Sequence, residues 1–376
     1  MNYTIPLFDL NYDREEEQAV LDVLRSKWVS LGPRTEAFEQ AFAARLGAQK
    51  AVALSNCTVA LHLALLVLGI GPGDEVICPS LTFVATANAI RYVGAVPVFG
   101  DIVGYEDLTL DPDLIEGLVG ERTRAIMVMH YGGFPCRMDR IMEIAARHNL
   151  KVIEDASHAP TAEYGGRKLG TIGQVGCFSF FSNKNIGIGE GGMLVTNDPS
   201  LADRVKLLRS HGMTSLSYER SRGHSTEYDV VALGYNYRFD DLRAALGLVQ
   251  LKKLDADVSR RAELRRHYLE RLSPLKEIIV PFQGQRGRST HYIFPILLKD
   301  STPDRRDEVR AFLKERGIQT SVHYPAVHRF SIYEKFRPSL PKTEYVADNE
   351  ITLPLYGSLS HSDVDLICNS LKDAVS

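Results

Sequence analysis

Five short apolar runs, KAVAL, EVICP, VPVF, RAIMVMH and KVIED, alternate with helical patterns at 57–69, 84–93, 112–119 and 137–148. Apolar runs of this length, separated by helices, pack as strands of a mainly parallel sheet covered on both faces by crossover helices. The expected class is therefore α/β. Two helices precede the alternation, Arg14–Ser26 and Thr35–Leu46, and two further strand-like runs follow it, VGCFSFF and GMLVT. A helix near 200–210 and a long charged helical region from about Asp240 come next. Past the arginine-rich stretch Arg260–Arg271 the order changes to HYIFPILL, a helix near 304–316, IQTSVHY, ITLPLY and a final helix near 363–374. A chain of 376 residues exceeds one ordinary core. The pattern divides it into a large domain over 1–252 and a smaller C-terminal α/β domain over 253–376.

Charge narrows the function classes. With 44 Lys+Arg against 47 Asp+Glu, the formal charge of -3 gives no basic field of the kind that binds nucleic acid. Five cysteines form no CxxC pair, so neither a disulfide framework nor structural zinc is expected, and a reducing cytoplasm is the expected location. No run of 18 apolar residues and no leader pattern occurs, so neither a membrane span nor export is expected. The polar, glycine-bearing stretch Ser215–Ser225 reads as a mobile loop.

In an open parallel sheet, ligands bind beyond the carboxyl ends of the strands. Ser55-Asn56-Cys57-Thr58 follows KAVAL and opens a helix, whose free N–H groups suit a phosphate. Phe83 follows EVICPSLT, placed where a ring can stack on a flat cofactor. Asp155 ends KVIED with His158 one helical turn on, and Lys184 lies 29 residues beyond Asp155 in the glycine-rich turn SFFSNKNIGIGEGG, five residues after Ser179. An acid and a lysine in these settings fit an aldehyde cofactor: the amine holds it as a Schiff base and the carboxylate keeps a pyridine nitrogen protonated. Gly187, Gly189 and Gly192 satisfy GxGxxG, but the segment runs into the strand GMLVT and not into a helix, which removes the dinucleotide reading. His323 and His328 in VHYPAVH do not match HExxH, and no metal is expected.

The ordered motifs SKWVSLGPRTEAFEQ, SNCTVALHLAL, GPGDEVICPSLTFVATANAI, VIEDASHAP, SFFSNKNIGIGEGGM, LRSHGM, LGYNYRFDDLRAALGLVQL and VHYPAVH cover nearly the whole chain. Together they resemble the DegT/StrS family of sugar aminotransferases, within the fold-type I (aspartate aminotransferase-like) enzymes that use pyridoxal 5'-phosphate. The resemblance implies that Lys184 holds the cofactor covalently, Asp155 binds its pyridine nitrogen, and His158 sits near its phenolic oxygen or ring. It implies that Phe83 stacks on the ring and that Ser179 with Cys57 and Thr58 holds the phosphate. Asn236 of GYNYR is implied to reach in from the neighbouring subunit of a homodimer with shared active sites. This chain has Cys57 where the family usually has glycine, and His158 where it often has glutamine.

The implied reaction takes an amino group from L-glutamate, releasing 2-oxoglutarate, and gives it to a keto-sugar. Arg238 is the expected partner of the donor carboxylate, and Tyr131, His323 and Tyr324 are further expected substrate contacts. Relatives that dehydrate carry histidine at the lysine position, so Lys184 favours transamination. GEGG after the lysine resembles the versions that aminate C4 of a nucleotide-linked 4-keto-6-deoxy sugar. A C3 keto-sugar or a keto-inositol is the enzymatic alternative, and a cofactor-binding regulatory or sensor protein the non-enzymatic one.

Overall fold

The computed structural model describes residues 3–214, 227–284 and 287–375. The loop expected at Ser215–Ser225 lies outside them. Among the described residues, a seven-stranded sheet has the order β1(Lys50–Leu54), β9(Gly192–Thr196), β8(Val175–Ser179), β5(Lys151–Asp155), β4(Thr123–Met129), β2(Glu75–Pro79) and β3(Val96–Gly100). Pairing is parallel from β8 to β3, and β9 runs antiparallel between β1 and β8. The expected mainly parallel sheet is thus mixed through one reversed strand. Because β1 and β8 both oppose β9, the carboxyl ends of β1, β5, β8 and β2 share one edge, and the turns that leave them converge there.

Both faces of the sheet are covered. On one face Phe38 and Phe42 of α2(Pro33–Leu46) and Ile141 and Ile144 of α6(Met138–Arg147) pack on Ala53, Ile77 and Val152. On the other, α3(Cys57–Val67), α4(Ala85–Tyr92) and α7(Pro199–Arg209) cover Val52, Val76 and Ile153. Burial of the sheet from both sides explains why its strands read as continuous apolar runs rather than alternating ones. The N-terminus of α2 is capped from afar: Asp241 accepts from Arg34 N at 3.1 Å, Thr35 N at 2.8 Å and Thr35 Oγ1 at 2.8 Å. The helical run expected at 112–119 divides into α5(Pro112–Ile115) and a 3-10 turn over Glu116–Leu118.

The long helix α8(Asp241–Leu272) runs unbroken through position 252. Its Ala244, Leu254 and Val258 belong to the sheet core, while Leu264, Tyr268 and Leu272 pack in a second core around β11(Phe294–Leu298) and β12(Glu350–Leu353). We propose that the division expected at 252–253 is this passage of one rod from core to core, a few residues later in the chain. The strand expected at IQTSVHY is absent as a ladder. It is reduced to two bridges, Ile5 with Ile318 and Ser321 with Thr352. From His323 onward the backbone leaves strand pairing because the His323 N–H is taken by the Glu350 carboxyl at 2.7 Å and its carbonyl by the Tyr131 hydroxyl. No described helix is long and apolar enough to cross a membrane.

Candidate active site

Where β1, β5 and β8 end, three turns and a segment from the C-terminal region enclose a cavity of about 650 Å³. Its anion end is built first by Asn56. That residue is extended and accepts from Val59 N at 3.1 Å, capping α3. The cap leaves the first N–H groups of the helix, at Cys57 and Thr58, without intrahelical acceptors and at the positive end of the dipole. Ser179 closes the same end. Gly192 pairs with both Leu54 and Ser179, and a Cβ there would meet the Asn56 carbonyl carbon at 2.3 Å. Only glycine lets β9 lie against the capped turn. The Cys57 thiol is buried, and burial pushes its pKa well above the usual value, so it acts as a small apolar side chain.

Asp155 forms the floor. Strand alternation sends Glu154 and Asp155 of KVIED to opposite faces. Asp155 Oδ2 accepts from Thr86 Oγ1 at 2.9 Å and Oδ1 from Ser157 N at 3.2 Å, leaving acceptor capacity for a donor in the cavity. Glu154 is fully buried beneath it. Its Oε1 accepts from Ile172 N at 2.7 Å and Gly173 N at 2.6 Å, and its Oε2 from Gly170 N at 2.7 Å and His130 Nε2 at 3.0 Å. These bonds tie the chain entering β8, and so Ser179, to the strand that carries Asp155.

Lys184 N donates to Phe181 O at 2.8 Å, closing the turn after β8. Its Nζ donates to the Tyr292 hydroxyl at 3.2 Å. The Tyr292 ring stacks on His158 with centroids 4.3 Å apart. His158 Nδ1 accepts from Gly132 N at 3.2 Å, so the neutral ring carries its proton on Nε2 and donates to Tyr324 Oη at 2.9 Å. Burial, and then the charge on Lys184, hold the pKa of His158 well below the usual range. Phe83, 56% exposed, stands at the cavity edge with its ring 5.9 Å from that of Tyr324, offering a free aromatic face. His323 also lines the wall; burial lowers its pKa to about 3, so this ring too is neutral. An anion-binding end, a carboxylate floor, a flat aromatic face and a held amine are the donor set a phosphorylated pyridine aldehyde requires. Asn183 Oδ1, buried on the same wall without a partner among the described residues, has polar capacity in reserve.

The model of the DegT/DnrJ/EryC1/StrS aminotransferase family matches residues 11–372. The chain belongs to that family. The spore coat polysaccharide biosynthesis protein SpsC of Bacillus subtilis is 41% identical over 380 residues, covering 99% of this chain and 96% of SpsC. Among solved structures, Spr1654 of Streptococcus pneumoniae in its PMP form superposes with a TM-score of 0.92 at 28% identity, covering 100% and 99% of the two chains. Helicobacter pylori PseC, an aminotransferase involved in the biosynthesis of pseudoaminic acid, does so with a TM-score of 0.92 at 30% identity and the same coverage. This DegT/StrS protein is accordingly a pyridoxal phosphate-dependent aminotransferase.

The cavity brings together Cys57, Thr58, Phe83, Asp155, Ser179, Lys184, His323 and Tyr324 of the residues expected from sequence. Two expected residues are placed outside its lining. Tyr131 is fully buried and does not line the cavity; its hydroxyl donates to the His323 carbonyl, which fixes the segment. His158 stands behind Tyr292 and Tyr324, because its Nδ1 is drawn to Gly132 N, and it meets the cavity only through them. Asn236 and Arg238 lie outside this chain's cavity, Asn236 exposed and bridged to Ser210. Sequence reasoning missed Tyr292, Thr86, Glu154 and Asn183. Asn183 adjoins the lysine and was within reach of a local search, whereas Tyr292 contacts Lys184 across 108 residues and leaves no local signal.

Proposed function

We propose that this aminotransferase moves an amino group from L-glutamate to C4 of a nucleotide-linked 4-keto-6-deoxy sugar. The observation that carries the transferase reading is the Lys184 amine, held by Tyr292 on the wall of a cavity floored by Asp155. A sugar acceptor is supported by the polysaccharide and pseudoaminic acid roles named for SpsC and PseC. C4 is supported by GEGG, whose Glu190 lines the cavity.

Pyridoxal phosphate, when bound, supplies an aldehyde that condenses with amines and a ring that draws electrons from the bond to be broken. The N–H groups of Cys57 and Thr58, with Ser179, hold its phosphate, and Phe83 covers one ring face. Asp155, its carboxylate kept in place by Thr86 and Ser157, would accept a hydrogen bond from the ring nitrogen. With the cofactor in place, Lys184 Nζ would be the base that takes the proton from the donor α-carbon. In the second half of the cycle it returns a proton to the sugar carbon that receives nitrogen. Tyr292 sets the position of Nζ between these duties.

We also propose a homodimer in which Asn236 and Arg238 serve the partner's site, Arg238 as a bidentate partner for the donor carboxylate. The same segment exposes Val230, Val231 and Leu233, the last 89% accessible, an apolar strip suited to burial against a second copy. The test is a single turnover of pyridoxamine-loaded protein with a 4-keto sugar nucleotide, a 3-keto sugar nucleotide and a keto-inositol. NMR of the product gives the aminated carbon. Amination of only the 3-keto sugar or the inositol refutes the C4 assignment.

A further inference from the structure

Glu350, the first residue of β12, is fully buried among His323, Thr352, Tyr131 and Tyr324, and has no cation within ion-pair distance among the described residues. The cations that act on it, Arg306 and Arg310, are tied to Asp307 and to the carbonyls of Ala347 and Thr320. A continuous chain of hydrogen bonds runs from this carboxyl to the cavity. Glu350 Oε2 accepts from His323 N at 2.7 Å, Oε1 and Thr352 Oγ1 are 2.5 Å apart, and Thr352 Oγ1 is 2.8 Å from His323 Nδ1. His323 Nε2 has no protein partner among the described residues, and the ring lines the cavity.

Proton counting leaves one arrangement for each state of the carboxyl. If Glu350 is protonated, the proton cannot sit on Oε2, which already faces an N–H donor. It sits on Oε1 and is donated to Thr352 Oγ1. The threonine must then turn its own proton to His323 Nδ1. A neutral imidazole that accepts at Nδ1 carries its proton on Nε2, so the cavity meets a donor. If Glu350 is ionised, Oε1 accepts the threonine proton, Oγ1 accepts from Nδ1–H, and the cavity meets a lone pair. Every group from Glu350 to His323 Nδ1 is satisfied in both states. Burial favours the neutral acid, raising the carboxyl to about 8, and the neutrality of His323 beside Lys184 keeps the ring in one tautomer or the other.

We propose that Glu350 and Thr352 are positioning residues that set whether His323 offers the keto substrate a hydrogen-bond donor or an acceptor. The donor form binds a ketone or hydroxyl oxygen, and the acceptor form repels a ketone. The substrate half of this inference rests on the keto-acceptor reading above. It makes recognition of the acceptor depend on one buried carboxyl that touches neither substrate nor cofactor.

The test is 15N NMR of histidine-labelled protein without substrate, with His323 assigned by loss of its signals in His323→Gln. Wild type is expected to change from the Nε2-protonated to the Nδ1-protonated tautomer as pH rises through about 8. Glu350→Gln, whose amide donates to Thr352 at every pH, is expected to hold the Nε2-protonated form throughout. In parallel, KM for the keto substrate is expected to rise by up to about tenfold per pH unit above the transition in wild type and to stay flat in Glu350→Gln. One unchanged tautomer in wild type, or a wild-type pH response in Glu350→Gln, overturns the relay. A tautomer change lost in Glu350→Gln, with no keto-sugar turned over, upholds the relay and refutes the substrate reading.

Discussion

Glu154→Gln is expected to destabilise the protein far more than a change of one atom suggests. In the native fold each carboxylate oxygen of Glu154 accepts two donors: Ile172 N and Gly173 N at Oε1, Gly170 N and His130 Nε2 at Oε2. His130 Nδ1 accepts from Cys136 N at 3.2 Å, so its proton lies on Nε2 and the ring is a true donor. A glutamine keeps one acceptor oxygen. Whichever way the amide turns, its NH2 faces two donors and two charge-assisted bonds are lost. At about 1.5–3 kcal/mol each, the loss is about 3–6 kcal/mol, with relaxation of the 170–173 turn favouring the lower end. A domain typically has only about 5–15 kcal/mol to lose. The assay is urea unfolding of cofactor-free protein followed by far-UV circular dichroism, so that ligand binding does not mask the change. The same substitution is expected to weaken cofactor retention, since it frees the entry to β8 and hence Ser179. A loss below about 1 kcal/mol, near what one ordinary hydrogen bond contributes, would refute the assignment of Glu154 as the anchor beneath the site.

Asp155→Asn is expected to keep part of the cofactor binding and to slow the proton-transfer half-reaction, as measured by stopped-flow absorbance; wild-type half-reaction rates would remove Asp155 from its role. Asn236→Ala is expected to weaken cofactor affinity in a dimer of unchanged size, measured by equilibrium dialysis and sedimentation, and unchanged affinity would contradict the cross-subunit contact. Glu350 gives a pH prediction for stability. Its folded pKa is raised from 4.5 to about 8, so its contribution is fullest below pH 4.5 and is lost as pH rises toward 8. The loss is about 1.4 kcal/mol per pH unit in that window. Glu350→Gln is therefore expected to gain stability over wild type increasingly from pH 5 to pH 8, and parallel pH profiles of the two proteins would refute the buried acid.

The helices and strands of the large domain were legible because each leaves a local pattern, a helical period or a short continuous apolar run, with Arg14–Ser26 and Gly192–Thr196 matching residue for residue. The cofactor end was legible for a related reason. Asn56, Asp155, Ser179 and Lys184 sit at strand ends, which a parallel sheet collects on one edge. Contacts made across long separations were not legible. Thr86 reaches Asp155 over 69 residues and Asp241 caps α2 over 206, and neither pairing imposes a local pattern. Glu154 was hidden by its neighbour, since a strand-end acid pair looks like one site until the sheet sends the two side chains to opposite faces. IQTSVHY failed as a strand because Glu350 and Tyr131 claim the backbone groups of His323 that a ladder would have used.

The most direct test of the central claim is an absorption titration of the cofactor-loaded protein with L-glutamate. The account predicts that the near-visible band of the lysine–cofactor imine disappears as pyridoxamine phosphate and one equivalent of 2-oxoglutarate form, and that Lys184→Ala shows neither the band nor the conversion. A wild-type band that glutamate leaves unchanged, or a Lys184→Ala protein that still makes 2-oxoglutarate at the wild-type rate, would contradict it.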